Sequence, residues 1–316
     1  MKTSTLDTTG NIYAAVGNPA AWTALMAELC SLFDATIGML VASGQGQRDH
    51  SFYAAHNHSE RLARAYSDHW WQHDVWLLAA LKNGHYWTGK VAVGTDLVST
   101  ADLLASAFYK DFLLAMPAEH LLVAVVSDGS DDEAAFEKTP PTHISFFRPP
   151  KAAPFTANDT ALLTTLLPHL RRALFLDGQW RAMQEQLNVF HTSVNSMDFG
   201  VAFIDAAGRV RHANSAADAL AKKLWPGTTR GVADALRSSA NKQLLDLVSA
   251  AAAGQGSAIK LQSADAQPCQ AVAIAMTVAN PGASVAGTVR SSVLLLMVDS
   301  ARRPEAAAEY LTKAFT

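Results

Sequence analysis

Between residues 50 and 112 the chain concentrates side chains suited to holding a small molecule. Trp70, Trp71, Trp76 and Trp87 are four of its seven tryptophans; Tyr53, Tyr66 and Tyr86 stand near them, and Phe108, Tyr109 and Phe112 follow. Trp and Tyr pair a broad apolar face with one polar tip, which suits a pocket that orients a mostly apolar ligand. Asp74 lies in the same window and offers a hydrogen-bond acceptor. The plainer alternative is that these rings are the core of their own domain.

Histidines crowd the same window. His50, His56, His58, His69, His73 and His85 are six of the eleven in the chain. His69 and His73 stand four apart, so on one helix they would share a face beside Asp74, and two imidazoles at that spacing can hold a transition metal. No Cys is near and no HExxH order occurs, so a zinc enzyme has little support. There is no GxSxG elbow, no GxxxxGK[ST] and no GxGxxG after a strand. The expectation is therefore no catalytic residue, no metal and no cofactor.

These residues belong to a chain of 316, about two domains' worth. With 49% hydrophobic and 17% charged residues it has material for ordinary cores. The 25 Lys+Arg against 28 Asp+Glu exclude nucleic-acid binding by bulk charge alone. Only Cys30 and Cys269 are present, which excludes a disulfide-stapled module and a Cys-based metal site. No signal-peptide pattern opens the chain and no apolar run reaches a membrane span, so a cytoplasmic protein without membrane contact is expected.

Residues 1–18 are polar and read as a loose arm. Asn18-Pro19 opens a helix carried by Trp22, Leu25, Met26, Leu29, Leu32 and Phe33. Thr36–Ala42 and Ser51–Ala55 read as strands, Ser59 to Leu81 as helix in two pieces, and Thr100–Leu114 as another helix. His120–Ser127 and Thr142–Arg148 read as paired strands joined by the acidic tip Asp128–Glu133. After the connector 149–154 a long helix begins at Thr156. Its Leu163, Leu167, Leu170 and Leu174 give way, after a phase change near Asp177, to Trp180, Met183, Leu187, Phe190, Val194 and Met197. That second stripe is the pattern of a helix packed on another helix, and a homodimer contact is expected there. Strands at Phe199–Asp205 and Val210–Ala213, helices to Ala253, and strands at Ser257–Gln262, Gln270–Val278 and Ser291–Val298 complete an α+β chain.

The run Asp205-x-x-Gly208-x-Val210-x-x-x-Asn214-x-x-Ala217 resembles the opening of PAS domains. Phe199, Val201, Phe203, Ile274, Met276, Leu294 and Leu296 are its expected core. In that setting His212 alone is a thin basis for haem, and Cys269 stands at no place matching flavin photochemistry. Thr142–Arg148, Pro149-Pro150, Pro154-Phe155 and Leu166-Leu167-Pro168-His169-Leu170-Arg171-Arg172-Ala173 resemble the sensory half of a LuxR-type transcriptional regulator. Phe108-Tyr109-Lys110-Asp111-Phe112-Leu113 and Asp299-Ser300-Ala301-Arg302-Arg303-Pro304 resemble the same group. The resemblance implies a loose arm over 1–18, a GAF-like sensor with an antiparallel sheet and flanking helices over 19–175, and a connecting and dimerising helix over 176–197. It further implies a PAS-like domain over 198–300 and a linker over 301–316 toward a helix-turn-helix domain that this sequence lacks.

Tyr66-x-x-x-Trp70-x-x-x-Asp74 with Trp87 also resembles, loosely, the aromatic-and-Asp pattern of autoinducer-binding domains. The spacing departs by a residue or two, and Val75 stands where that pattern has Pro. The resemblance implies Asp74 as acceptor for a ligand donor, Tyr66 and Trp87 as polar-tipped walls and Trp70 as an apolar wall. The expected ligand residues are Tyr53, Tyr66, Trp70, Trp71, Asp74, Trp76, Trp87, Phe108 and Phe112, around a small hydrophobic or aromatic effector. DNA would be reached only through the absent domain. Two other readings stay open: a ligand-free interaction scaffold, and a metal-dependent enzyme around His69, His73 and Asp74.

Overall fold

The computed structural model describes residues 5–43, 50–130, 140–205, 207–239, 241–262, 270–278 and 292–299. The chain divides into two compact units, Met1–Gln184 and Glu185–Thr316. The division falls inside the long helix, later than the end of the sensor expected at residue 175. Both units are α+β, each built on one antiparallel sheet.

In the first unit helices α1 (Thr5–Ala14) and α2 (Pro19–Leu32) precede strands β1 (Ile37–Ser43) and β2 (His50–His56). Then come α3 (Glu60–Asp68), a 3-10 turn (Trp70–His73), α4 (Val75–Lys82), β3 (Val91–Val93), α5 (Gly94–Leu97) and α6 (Thr100–Ala105). A π-turn (Phe108–Phe112), β4 (His120–Ser127), β5 (Thr142–Arg148) and the start of α7 (Ala157–Asn195) follow. The sheet order is β2-β1-β5-β4-β3. Its strands read as near-continuous apolar runs because the sheet is covered on both faces.

One face is packed solid. Leu40, Leu122, Ala124, Ile144 and Phe146 meet Trp22, Met26 and Leu29 of α2, Ile12 of α1, and Leu163, Leu166 and Leu170 of α7. A Cβ at Gly38 would collide with Cys30 Sγ, so the strand residue facing α2 has no side chain. Over residues 5–14 the expected loose arm is instead a helix seated on the core. In α1, Thr8 and Ile12 are buried, and Ala15 just beyond it is buried too, since two apolar residues at helical spacing suffice to seat a short helix. The phase change near Asp177 has a physical cause: its buried carboxylate accepts from Trp22 Nε1 at 3.0 Å and Gly17 N at 2.8 Å, and pairs with Arg181 at 2.6 Å. Arg148 locks the connector by donating to Phe33 O, Ala153 O and Pro154 O beside Asp159.

The second unit holds the end of α7, then β6 (Gly200–Ile204), β7 (Val210–Ala213), α8 (Ser215–Leu224), α9 (Val232–Ala235) and α10 (Lys242–Ala252). Strands β8 (Ser257–Gln262), β9 (Gln270–Val278) and β10 (Ser292–Asp299) complete a sheet of order β7-β6-β10-β9-β8. Gly208 takes φ +75° in the β6–β7 turn, a conformation that glycine adopts without steric cost. Fully buried Asn214 caps α8 by accepting from Ala217 N at 2.8 Å; it also accepts from Val201 N and donates to Val194 O and Phe199 O.

Strand alternation divides the expected core of this unit between two faces of its sheet, and Val201 and Ile274 are buried as expected. The helix-covered face is built from Ala202, Ile204, Val293, Leu295 and Met297. Val201, Phe203, Leu294 and Leu296 occupy the alternate positions and so belong to the opposite face, as does Ile274 by register with Leu296; Phe203 there meets Phe190 at a 5.6 Å ring separation. Cys269, the linker 301–316 and residues 131–133 of the acidic tip lie outside the described residues. No described helix is long and apolar enough to cross a membrane.

Candidate functional site

The other face of the first sheet is hollow. Strand alternation sends Lys90 and Ala92, Leu121, Val123 and Val125, His143, Ser145 and Phe147, and Met39 and Val41 toward a cavity of about 510 Å³. Their neighbours Val91, Val93, Leu122, Ala124, Ile144 and Phe146 fill the solid face. Over the hollow lie α3, the 3-10 turn, α4 and the π-turn; Phe108 and Phe112 of the π-turn, with Leu113 and Met116 just after it, supply an apolar wall.

The cover is set by local chemistry. Ser59 caps α3 by accepting from Leu62 N, and the chain leaves the α-helix at His69 (φ −141°). After the 3-10 turn, Asp74 caps α4: its Oδ1 accepts from Trp76 N at 3.0 Å and Leu77 N at 3.1 Å. Its Oδ2 accepts from Tyr66 Oη at 2.9 Å, which ties α3 to α4 across the cavity. Burial raises the Asp74 carboxyl above its ordinary value against the pull of these three bonds. Burial, then the neighbouring Asp74, drives the Tyr66 phenol well above its own. Phe108 and Phe112 stack at 5.4 Å, and Trp76 meets Phe108 edge-on at 6.2 Å.

Of the residues expected from sequence, Tyr66, Trp71, Asp74, Trp76, Phe108 and Phe112 line the cavity. Trp70 does not; it stands against Phe108 and Phe112 at 6.3 and 5.8 Å, away from the hollow. Trp87 is 50% exposed and forms no part of the wall. It closes a tight turn in which Lys90 N donates to Trp87 O, and that turn holds it outside. Tyr53 pairs with Val41 in register, and its side chain lies outside the described residues.

His69 and His73 are exposed and not on one α-helix, because the chain breaks between them. Among the described residues no three His, Cys, Asp or Glu side chains converge as metal ligands. The sequence reading missed Lys90, His143, Ser145 and Met39 as walls. Their signal was the two-residue alternation in strands whose faces are both apolar, where alternation hardly shows.

One wall residue has a second environment. The Trp76 indole N–H finds no partner among the described residues and lies against Gly94, where a Cβ would stand 2.9 Å from Nε1. Beneath it is a void of about 20 Å³ shared with His120, whose buried Nε2 is also without a partner among the described residues. A space of that size admits one water molecule.

No family model matches the chain, and no curated protein sequence does. Solved structures similar to it include the VqsR LBD domain of Pseudomonas aeruginosa, 14% identical, TM-score 0.42, over 55% of this chain and 96% of that one. The E. coli DhaR(N)–DhaL complex is similar over 92% and 89%, at 14% identity and TM-score 0.41. A phycoerythrobilin-bound GAF domain from a cyanobacterial phytochrome is similar over 57% and 98%, at 12% identity and TM-score 0.38.

Proposed function

We propose that this chain is the ligand-sensing and dimerising region of a LuxR-type transcriptional regulator, and that the cavity of the first unit receives its effector. The observation that carries the reading is the hollow itself: about 510 Å³, walled by aromatic and aliphatic side chains, with a few polar groups at fixed places. That size and lining suit one small, mostly apolar molecule. Phe108, Phe112, Trp71 and Trp76 would hold its body, and the Tyr66–Asp74 pair would accept a donor from it. The scaffold reading offers no reason for the hollow.

Dimerisation rests on the long helix. Trp180, Met183, Leu187 and Phe190 repeat at steps of 3, 4 and 3 and are 47%, 55%, 45% and 41% exposed. A stripe of that spacing suits a second copy of the same helix. Control of DNA would pass to a helix-turn-helix domain outside this sequence. For that, the effector must favour one arrangement of the dimer over another; tight binding to both would change nothing.

The test is native mass spectrometry of the chain purified from a bacterial host, compared with its denatured mass, for the wild type and for Val123→Trp, which fills the cavity. A small-molecule mass present on the wild type and absent from the variant supports sensing. An identical excess on both would refute the cavity as its site. The same spectra report the oligomer, which Leu187→Glu should convert to monomer.

A further inference from the structure

The polarity of the cavity is graded along the strands. Across the sheet, cavity-facing residues fall into three transverse rows set by the pairing register. The first holds Phe147 and Leu121, the second Met39, Ser145, Val123 and Ala92, and the third Val41, His143, Val125 and Lys90. Rows two residues apart along a strand are separated by roughly 7 Å, so the three span roughly 13 Å. The first row is wholly apolar; the third carries the only lysine among the described lining residues.

Lys90 is half-buried, and its ammonium has no hydrogen-bond or ionic partner among the described residues. The nearest part of the chain does not supply one. Asp128, two residues beyond β4's Val126, is held by Thr88 Oγ1 and N and by Ser130 Oγ and N. Asp74, the only carboxylate of the wall, is held by Tyr66 and by the first N–H groups of α4. A cation beside an apolar hollow with no counter-charge among the described residues is unfavourable, and an anion brought into the hollow would relieve it.

We propose that the effector is an organic anion: an apolar or aromatic body that lies toward Phe147, Leu121 and the π-turn, and one acidic group that pairs with the Lys90 ammonium at the opposite end. The inference rests on the sensing reading above and narrows it, from a small apolar molecule to one with a single negative charge at its end. Shape and charge are then read by different elements. The helical cover and the middle rows measure the body, while the residue just before β3 measures the charge.

Two fluorescent probes with the same aromatic body test this. 1-Anilinonaphthalene-8-sulfonate carries an acidic group and N-phenyl-1-naphthylamine does not. Titrations use the full chain, its Val123→Trp variant to fix the site, and Lys90→Met and Lys90→Arg. The expected result is that the anionic probe binds the wild type more tightly than the neutral one and that Val123→Trp abolishes both. Lys90→Met should weaken the anionic probe about 10–100-fold, as the loss of one charge-assisted pair does, and Lys90→Arg should retain it. The neutral probe should change less than about twofold in Lys90→Met, which also shows that the cavity still folds.

Equal affinities for the two probes, or an anionic probe indifferent to Lys90→Met, would overturn the anion while leaving a cavity that binds apolar molecules. Binding of neither probe, or binding that survives Val123→Trp, would overturn the sensing reading itself.

Discussion

Replacing Asp74 separates its structural role from any role toward a ligand. Asp74→Ala removes the α4 cap, which costs about 1 kcal/mol, and leaves the Tyr66 hydroxyl without its acceptor, about 1–3 kcal/mol if it stays buried. Release of a carboxyl that burial disfavours offsets part of this, so a net loss of about 2 kcal/mol is expected, or about 4–8 °C in the midpoint for a unit of this size. Asp74→Asn keeps an oxygen for Trp76 N and Leu77 N and should cost less than about 1 kcal/mol. Asp74→Ala is thus not a clean probe of ligand binding, and Asp74→Asn is the variant to use.

The pH dependence has a definite sign. The folded state holds the Asp74 proton to higher pH than the ordinary 3.8, so across that window it binds more protons than the unfolded chain. Stability in the wild type should therefore fall as pH rises through the window, and this component should be missing in Asp74→Asn. Thermal unfolding followed by tryptophan fluorescence at a series of pH values measures both effects. An Asp74→Ala protein melting with the wild type, or an Asp74→Asn profile superimposed on it, would refute the reasoning.

Asn214→Ala should destabilise the second unit by about 3–5 kcal/mol, because it removes the α8 cap and leaves the N–H groups of Val201 and Ala217 without the acceptor that Asn214 supplies; denaturant unfolding reads this, and a loss under 1 kcal/mol would contradict it. Asp128 is held at about 2, chiefly by the Ser130 hydroxyl, so its contribution is present above the ordinary 3.8 and lost as pH falls toward 2; acid titration of Asp128→Asn should lack that component. Gly94→Ala should push its new Cβ onto Trp76 Nε1 and Leu121 Cβ, cost about 1–3 kcal/mol and change the near-ultraviolet circular dichroism of the cavity wall.

Much of the frame was legible because it depends on local chemistry. Asn18-Pro19 did open a helix, Gly208 and Asn214 took the turn and cap positions that their types suggest, and β8 and β9 begin and end where alternation placed them. The aromatic window also named six wall residues. What stayed hidden depends on contacts distant in sequence. The burial of Ile12 and Ala15 needs α2 and α7, and the outward placement of Trp87 depends on one turn. The division of β3 into a cavity face and a core face cannot be read from Lys90-Val91-Ala92-Val93 alone. Asp74 was legible as a polar group in an aromatic setting, and two helical pieces were expected over 59–81, but nothing in the sequence pattern singled out Asp74 as the cap of the second.

The contrast between the two faces of the first sheet bears on why the hollow exists. The same five strands pack one face so closely that a single Cβ at Gly38 would collide, so the sequence is capable of filling space. On the other face a hollow of about 510 Å³ is left open, although larger side chains such as Ala92→Leu or Val123→Phe would fill part of it. An occupant at a hundred times its dissociation constant would add about 2.7 kcal/mol to the folded state. On the proposed reading, binding of the effector would therefore stabilise the first unit as well as signal, and a ligand-dependent rise in its unfolding midpoint would report both.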